Sequence, residues 1–294
     1  ARLVLSRQLG CMVAALAGWH SGARLAQDQV WAKPPGAAPL VFHRDSPYFF
    51  FESDEAAGSP QVMTVWVALD DMVEELGPLE YVLGSHQWDV GRAGSAAVFF
   101  QEQQQEQLLA AAAHAGVRQE DLNFVSMRGL RAGGMSIHHG CCWHGSGPNR
   151  STSQPRRGIG IHYVPGSARF TAQATRSKLW GPYVEAGGLE PHSAIFPVVT
   201  DASPSSSCIQ PLLEMVSRRQ NANAHNNCRA TAPSSASCTP SLSKLERKRL
   251  GQFINDHKAE WNAFVLDLGE RPTFSYRDCP REQLLKFHAV EWSD

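Results

Sequence analysis

The chain has no surplus of positive charge: 27 Lys and Arg stand against 28 Asp and Glu in 294 residues, a formal net charge of −1. Without a cationic excess to neutralise a phosphate backbone, general nucleic-acid binding is disfavoured. None of the seven cysteines forms a CxxC pair, so a zinc ribbon or a secreted disulfide framework has no support. Reduced, mostly buried thiols in an intracellular, reducing compartment are expected instead. Long apolar runs are also lacking. The stretch from Leu3 to Trp19 is interrupted by Arg7 and is too short to span a bilayer, so no stable membrane insertion is expected. No internal repeat is visible. The chain opens on Ala1 rather than a methionine, so an incomplete N-terminus is expected.

What is present reads mainly as strands and loops. Leu5, Leu9, Met12, Val13 and Leu16 share one face of a first amphipathic helix. Val62 to Leu69 is a nearly continuous apolar, β-branched run of the kind that forms a buried strand. Tyr81 to Ser85 is a short strand ending in a turn, and Ile159 to Val164 is a strand stopped by Pro165-Gly166. Gln101 to Ala115 is rich in Gln, Glu, Ala and Leu and predicts an inserted helix. Beyond Asp201 the character changes. Residues 202–243 are rich in Ser, Pro and Asn and predict a flexible linker. Residues 244–294 predict a helical tail, with Leu250, Phe253, Ile254, Trp261 and Phe264 suitably spaced for a helix over Leu245 to Leu268. Residues 1–201 are therefore expected to form the main domain.

His43-Arg44-Asp45 directly follows the apolar Leu40-Val41-Phe42. On a strand, positions i and i+2 point to one face, so an imidazole and a carboxylate would converge. A third ligand would complete a facial triad of two histidines and one carboxylate, which leaves three metal positions open for a bidentate 2-oxo acid and dioxygen. The segment from Gly134 to Asn149 offers His138, His139 and His144 for that place. Twelve residues past His144, Arg156 stands at the mouth of the next strand, where a guanidinium can clamp a carboxylate; Ser146 can add a hydroxyl. HxD alone is weak evidence. The ordered set of HxD, apolar strand, HGSxxN and Arg is much more specific.

Those motifs resemble the phytanoyl-CoA dioxygenase family. The likeness rests on His43-Arg44-Asp45, Trp66 to Asp71, Gly77 to Leu79 through Gly84-Ser85-His86, and His144 to Asn149 with Arg156, and it runs from about Ala26 to Val199. It implies a mainly β fold with flanking helices, a double-stranded β-helix of the jelly-roll, cupin-like kind, here with a helical C-terminal appendage. It implies iron(II), 2-oxoglutarate as co-substrate and O2, with hydroxylation of an unactivated C–H bond in a small-molecule or acyl/lipid-type substrate and release of succinate and CO2. His43, Asp45 and His144 fall on the metal ligands, and Arg156 and Ser146 on the groups that bind the co-substrate. His139 matches a histidine that often precedes the distal ligand and is assigned to the surroundings of the ligands or simply to packing. With Tyr48 and Trp66 it is also a candidate for the substrate pocket, although an aromatic in a buried strand is more often core.

Two departures accompany the likeness. Gly134-Met135 stands where a Gly-Asp pair is usual, and the spacing from His144 to Arg156 is about one residue long, leaving Arg157 as the alternative arginine. Asp45 argues against a halogenase of the same fold, and Ser146 with Arg156 against a cupin that uses no 2-oxo acid. The remaining rival is a non-catalytic jelly-roll binding protein derived from such an enzyme. His86 is expected to brace its loop, and Asp70-Asp71 to fix a turn.

Overall fold

The computed structural model describes residues 3–95, 104–200 and 263–266. In chain order its elements are α1 (Arg7–Ala17), β1 (Ala23–Lys33), β2 (Leu40–His43), β3 (Phe51–Glu52), β4 (Met63–Ala68), β5 (Leu79–Val82), α2 (Gln104–His114), β6 (Phe124–Ser126), β7 (Met135–His139), β8 (His144–Ser146), β9 (Arg156–Pro165), β10 (Arg169–Phe170), α3 (Gly181–Gly187), β11 (Val198–Thr200) and β12 (Ala263–Leu266). Six strands form one sheet in the order β11-β1-β9-β4-β7-β12, and four form a second in the order β2-β8-β5-β6. Every strand pairing of the large sheet is antiparallel among the described residues. The expected β architecture is present: two sheets line a common interior, with few helices outside.

Period-two alternation decides what each face of the large sheet does. Met63, Val65 and Val67 of β4, Met135 and Ile137 of β7, and Ile159, Ile161 and Tyr163 of β9 turn outward and pack with α1 through Leu9, Val13 and Ala14. That helix begins where the Ser6 hydroxyl accepts from the Leu9 N–H, and it ends at Gly18, whose φ of 71° is left-handed. The alternate residues of the same strands face inward: Thr64 and Trp66, Ser136 and His138, and Arg156, Gly158, Gly160 and His162. Covering the outer face with α1 thus leaves the inner face for chemistry.

The small sheet closes the other side. Its β2–β8 register sets His43 opposite His144, and β5 sets Tyr81 opposite His144. Behind it α2 packs Leu108 and Ala111 against Val82 and Trp143. Below, Phe49, Phe51, Phe170, Trp180 and Phe196 form an aromatic cluster around the β3–β10 pair.

The first helix, the Val62–Leu69 strand and the inserted helix hold as expected. The helical tail does not hold for residues 263–266, which are extended and pair antiparallel with β7, Ala263 against His138 and Leu266 against Met135. The run Ala-Phe-Val-Leu suits a strand as well as a helix, and β7 offers it a sheet edge. The linker over 202–243 and the rest of the tail lie outside the described residues.

Candidate active site

Three side chains converge where the two sheets meet. His43 closes β2 and His144 opens β8 as its cross-strand partner, with ring centroids 4.1 Å apart. Asp45 does not extend the strand, as the simple pleat argument expects. It lies in a helical conformation (φ −76°, ψ −48°) at the head of a short 3-10 turn over Ser46–Tyr48, where Pro47 favours the turn. The carboxylate nonetheless reaches the two rings: Oδ1 lies 3.9 Å from His43 Nε2 and 3.8 Å from His144 Nε2. Among the described residues, His43, Asp45 and His144 are the one group of metal-ligand type whose donor atoms all lie within 4.8 Å of one another.

Proton positions decide whether this group suits a cation. His43 Nδ1 lies 2.9 Å from the Val41 carbonyl, and His144 Nδ1 lies 3.0 Å from the Cys142 carbonyl. A carbonyl only accepts, so each ring carries its proton on Nδ1 and leaves Nε2 bare. Burial lowers the pKa of both histidines, that of His144 to about 4, so neither is protonated at neutral pH. Burial alone would raise the Asp45 carboxyl, but the surrounding histidines outweigh it and hold the group well below its usual range. Two bare nitrogens and an ionised oxygen therefore face one another in a buried site. Their lone pairs repel unless a cation sits between them, which is the donor set that iron(II) takes.

A second cluster carries the opposite charge. Arg156 begins β9 on its inward face, and Lys33 ends β1 directly opposite it. Lys33 Nζ donates to Ser146 Oγ at 2.7 Å and to the Gly147 carbonyl at 2.5 Å, and Arg156 Nη2 donates to the same Ser146 oxygen at 3.1 Å. Asn149 Nδ2 ties the Lys33 and Pro34 carbonyls to the loop after β8. The guanidinium lies 5.5 Å from the Trp66 ring, and its Nε is buried without a partner. Burial and the Arg156 charge lower the Lys33 pKa to about 7, while burial lowers that of Arg156 to about 10. Two buried cations sharing one neutral hydroxyl are poised for an anion.

Between two facing sheets, metal-type donors share a cavity with Arg156, whose guanidinium is joined to Lys33 through the Ser146 hydroxyl. The chain belongs to the phytanoyl-CoA dioxygenase family. The family model, phytanoyl-CoA dioxygenase (PhyH), matches residues 4–158, more than half of the 294. The chain is accordingly an iron- and 2-oxoglutarate-dependent enzyme acting on small molecules. Among solved structures it is similar to the non-haem alpha-ketoglutarate-dependent carbocyclase SnoK from nogalamycin biosynthesis, at 24% identity over 68% of this chain and 70% of that one, TM-score 0.51. It is also similar to the epimerase SnoN of the same biosynthesis (24% identity, 68% and 72% covered, TM-score 0.49). EctD from S. alaskensis with bound Fe is a further likeness (20% identity, 58% and 54% covered, TM-score 0.43). The SnoK likeness supports the fold. No curated protein matches the chain.

Within this dioxygenase fold the cavity holds about 440 Å³, open solvent at its mouth included, and is lined by the triad, Arg156, Tyr48 and Trp66 among others. Tyr48 and Trp66 both form part of its wall. His139 does not: its Nδ1 accepts from the Cys141 N–H and its ring packs on His86, away from the cavity. The preceding residue, His138, lines the cavity instead, because Met135 and Ile137 turn outward and fix the parity of β7. The two arginines separate the same way: Arg156 lines the cavity and Arg157 points outward. Arg157 is exposed and paired with Asp70, Nη2 to Oδ1 2.6 Å, and Asp71 accepts from the Ala132 N–H, so both aspartates tie distant segments together rather than fixing a turn of their own. Sequence reasoning missed Lys33, Thr64 and His162, and gave His138 no role beyond that of a candidate ligand. Even-numbered parity along β7 and β9 could have found the two histidines; nothing local marked Lys33.

Proposed function

We propose that this dioxygenase holds iron(II) with His43, Asp45 and His144, and the distal carboxylate of 2-oxoglutarate with Arg156, Lys33 and Ser146. Its reaction is hydroxylation of an unactivated C–H bond in a small-molecule or acyl-type substrate, with succinate and CO2 released. The observation that carries this reading is a cavity lined by three unprotonated buried donor groups and by Arg156, which shares the Ser146 hydroxyl with the buried Lys33. When bound, iron(II) supplies the dioxygen activation that couples oxidative decarboxylation of the 2-oxo acid to oxidation of the substrate.

The protein's own residues do the positioning. The Val41 and Cys142 carbonyls fix the tautomers and orientation of His43 and His144, so that no ring must turn to bind metal. Arg156 and Lys33 orient the co-substrate from its far end, and Trp66 walls the guanidinium from solvent. Tyr48, Trp31 and Leu40 shape the remaining space for the substrate. The net charge of −1 supports a partner that is not a nucleic acid.

Anaerobic titration with iron(II) and then 2-oxoglutarate, followed by the weak visible charge-transfer band, tests the reading. His43→Ala, Asp45→Ala and His144→Ala should each lose both metal and band while far-UV circular dichroism stays native. Normal iron content and succinate release in all three would overturn the ligand assignment.

A further inference from the structure

Asp45 turns its two oxygens to different neighbours. Oδ1 faces His43 and His144, as described. Oδ2 receives the Thr64 hydroxyl at 2.5 Å and lies 3.2 Å from His138 Nε2. A proton count gives the direction of each bond. Thr64 has one hydroxyl proton, and the ionised carboxylate can only accept it. The 2.9 Å contact between Thr64 Oγ1 and His162 Nδ1 is therefore donated by His162. His138 likewise donates from Nε2, which leaves its buried Nδ1 without a partner, as observed. The result is a directed set: His162 to Thr64, Thr64 to Asp45, and His138 to the same Asp45 oxygen.

The three donors stand on three adjacent strands at one level. The register sets Thr64 of β4 opposite His138 of β7 on one side and opposite His162 of β9 on the other. All three are buried. Polar side chains taken out of water destabilise a fold unless their hydrogen bonds are made, and an apolar row would pack there at lower cost. Such a row aimed at a single carboxylate oxygen calls for a role at that oxygen.

We propose that the His138–Thr64–His162 row is a positioning device that occupies Oδ2 and leaves Asp45 only Oδ1 to offer a metal. A carboxylate free to rotate can present both oxygens, and the second would take a place that the 2-oxo acid needs. The row prevents that rotation and so keeps room for co-substrate chelation. This inference rests on the assignment of His43, Asp45 and His144 as ligands. His138, Thr64 and His162 are positioning residues; they act through Asp45.

The test separates metal binding from co-substrate binding. Iron(II) affinity is measured anaerobically by chelator competition, and 2-oxoglutarate affinity by the charge-transfer band, for wild type, Thr64→Val, Thr64→Ser, His138→Leu and His138→Gln. Thr64→Val and His138→Leu should keep iron(II) affinity within about threefold while 2-oxoglutarate affinity falls about tenfold or more, the equivalent of about 1.4 kcal/mol or above. The band should also move, because a carboxylate relieved of hydrogen bonds donates more strongly. Thr64→Ser and His138→Gln, which retain a donor, should restore both. Wild-type 2-oxoglutarate affinity and band in Thr64→Val and His138→Leu would overturn the proposal. So would parallel loss of metal and co-substrate with a lowered melting midpoint, which marks a packing role; if either apolar variant does not fold, failure of its donor-retaining counterpart to behave as wild type would do the same. His144→Ala is the control for the parent assignment: undiminished iron(II) affinity there would sink the ligand set, whatever the row does.

Discussion

Lys33 gives the most direct handle on the co-substrate site. Its ammonium is buried beside the Arg156 guanidinium, and burial and that neighbouring charge lower its pKa to about 7. At pH 6 roughly 90% of the chains would carry a charged Lys33, and at pH 8 roughly 10%, from the ordinary titration of a group near 7. A carboxylate ligand selects the charged form. If Lys33 stays charged in the complex, 2-oxoglutarate affinity should fall about tenfold between pH 6 and pH 8. Lys33→Met removes one charge-assisted hydrogen bond, worth about 1.5–3 kcal/mol, and should weaken 2-oxoglutarate about 10- to 150-fold at pH 6. The variant should also lose most of the pH dependence, since Arg156, with its pKa lowered only to about 10, does not titrate in that window.

The stability of the ligand-free protein must follow with the opposite sign. In the unfolded chain Lys33 titrates near 10.4, so between about pH 7 and 10 the unfolded state holds more protons than the folded one. Stability contributed at this position therefore rises with pH through that window, and below pH 7 the cost of burying the charge is present in full. Bound 2-oxoglutarate relieves that cost, so its stabilising shift should be larger at pH 6 than at pH 8.5. Isothermal titration calorimetry of anaerobic iron(II)-loaded protein, with melting curves at the two pH values, reads both effects. A Lys33→Met variant that binds 2-oxoglutarate as wild type does, with an unaltered pH profile, would refute the anion cradle.

Arg156→Ala should weaken 2-oxoglutarate by about thirtyfold or more, since truncating one partner of a buried charge-assisted pair costs about 2–5 kcal/mol; direct titration checks it. Arg157→Ala, which loses an exposed pair to Asp70, should leave that affinity unchanged, and a reversal of the two would displace the assignment by one residue. Gly158→Ala should destabilise the fold by about 1–3 kcal/mol and loosen co-substrate binding; unchanged melting and affinity would contradict it. The added Cβ would lie 2.2 Å from the Trp66 ring that walls Arg156. A chain ending at residue 201 should still bind iron(II) but melt at a lower temperature and aggregate more readily, because β7 is left with an open edge where β12 now pairs. An identical midpoint would show that β12 adds nothing to the sheet.

Much of the site was legible because its residues are spaced by elements that alternate strictly. His43, His144 and Arg156 lie at strand ends, where a motif in sequence becomes a point in space. The residues that escaped did so for two different reasons. His138 and His162 were readable in principle: the outward Met135-Ile137 and Ile159-Ile161-Tyr163 fix the parity of both strands, and parity alone sends His138, Arg156 and His162 inward. Reading motifs without parity chose His139 instead and left Arg157 open. Lys33 was not readable, because its partners Ser146 and Gly147 lie more than a hundred positions away and only the β1–β9 pairing brings it to Arg156.

Asp45 and the tail show where local rules mislead. The pleat argument placed Asp45 correctly for the wrong reason, since Pro47 turns the chain before the strand can supply a second inward position. At Ala263–Leu266 the same four residues satisfy a helical apolar face and a short buried strand equally well. Propensity cannot choose between them. What chooses is the edge of β7, whose backbone groups would otherwise face solvent a residue or two from His138. The strand that covers that edge lies next to the row that holds Asp45, with Ala263 in register with His138 and His138 in register with Thr64. If that pairing tightens the row, the truncated chain should show weakened 2-oxoglutarate affinity at unchanged iron(II) affinity, the same split expected of Thr64→Val. Equal affinities in the full and truncated chains would confine the role of β12 to stability.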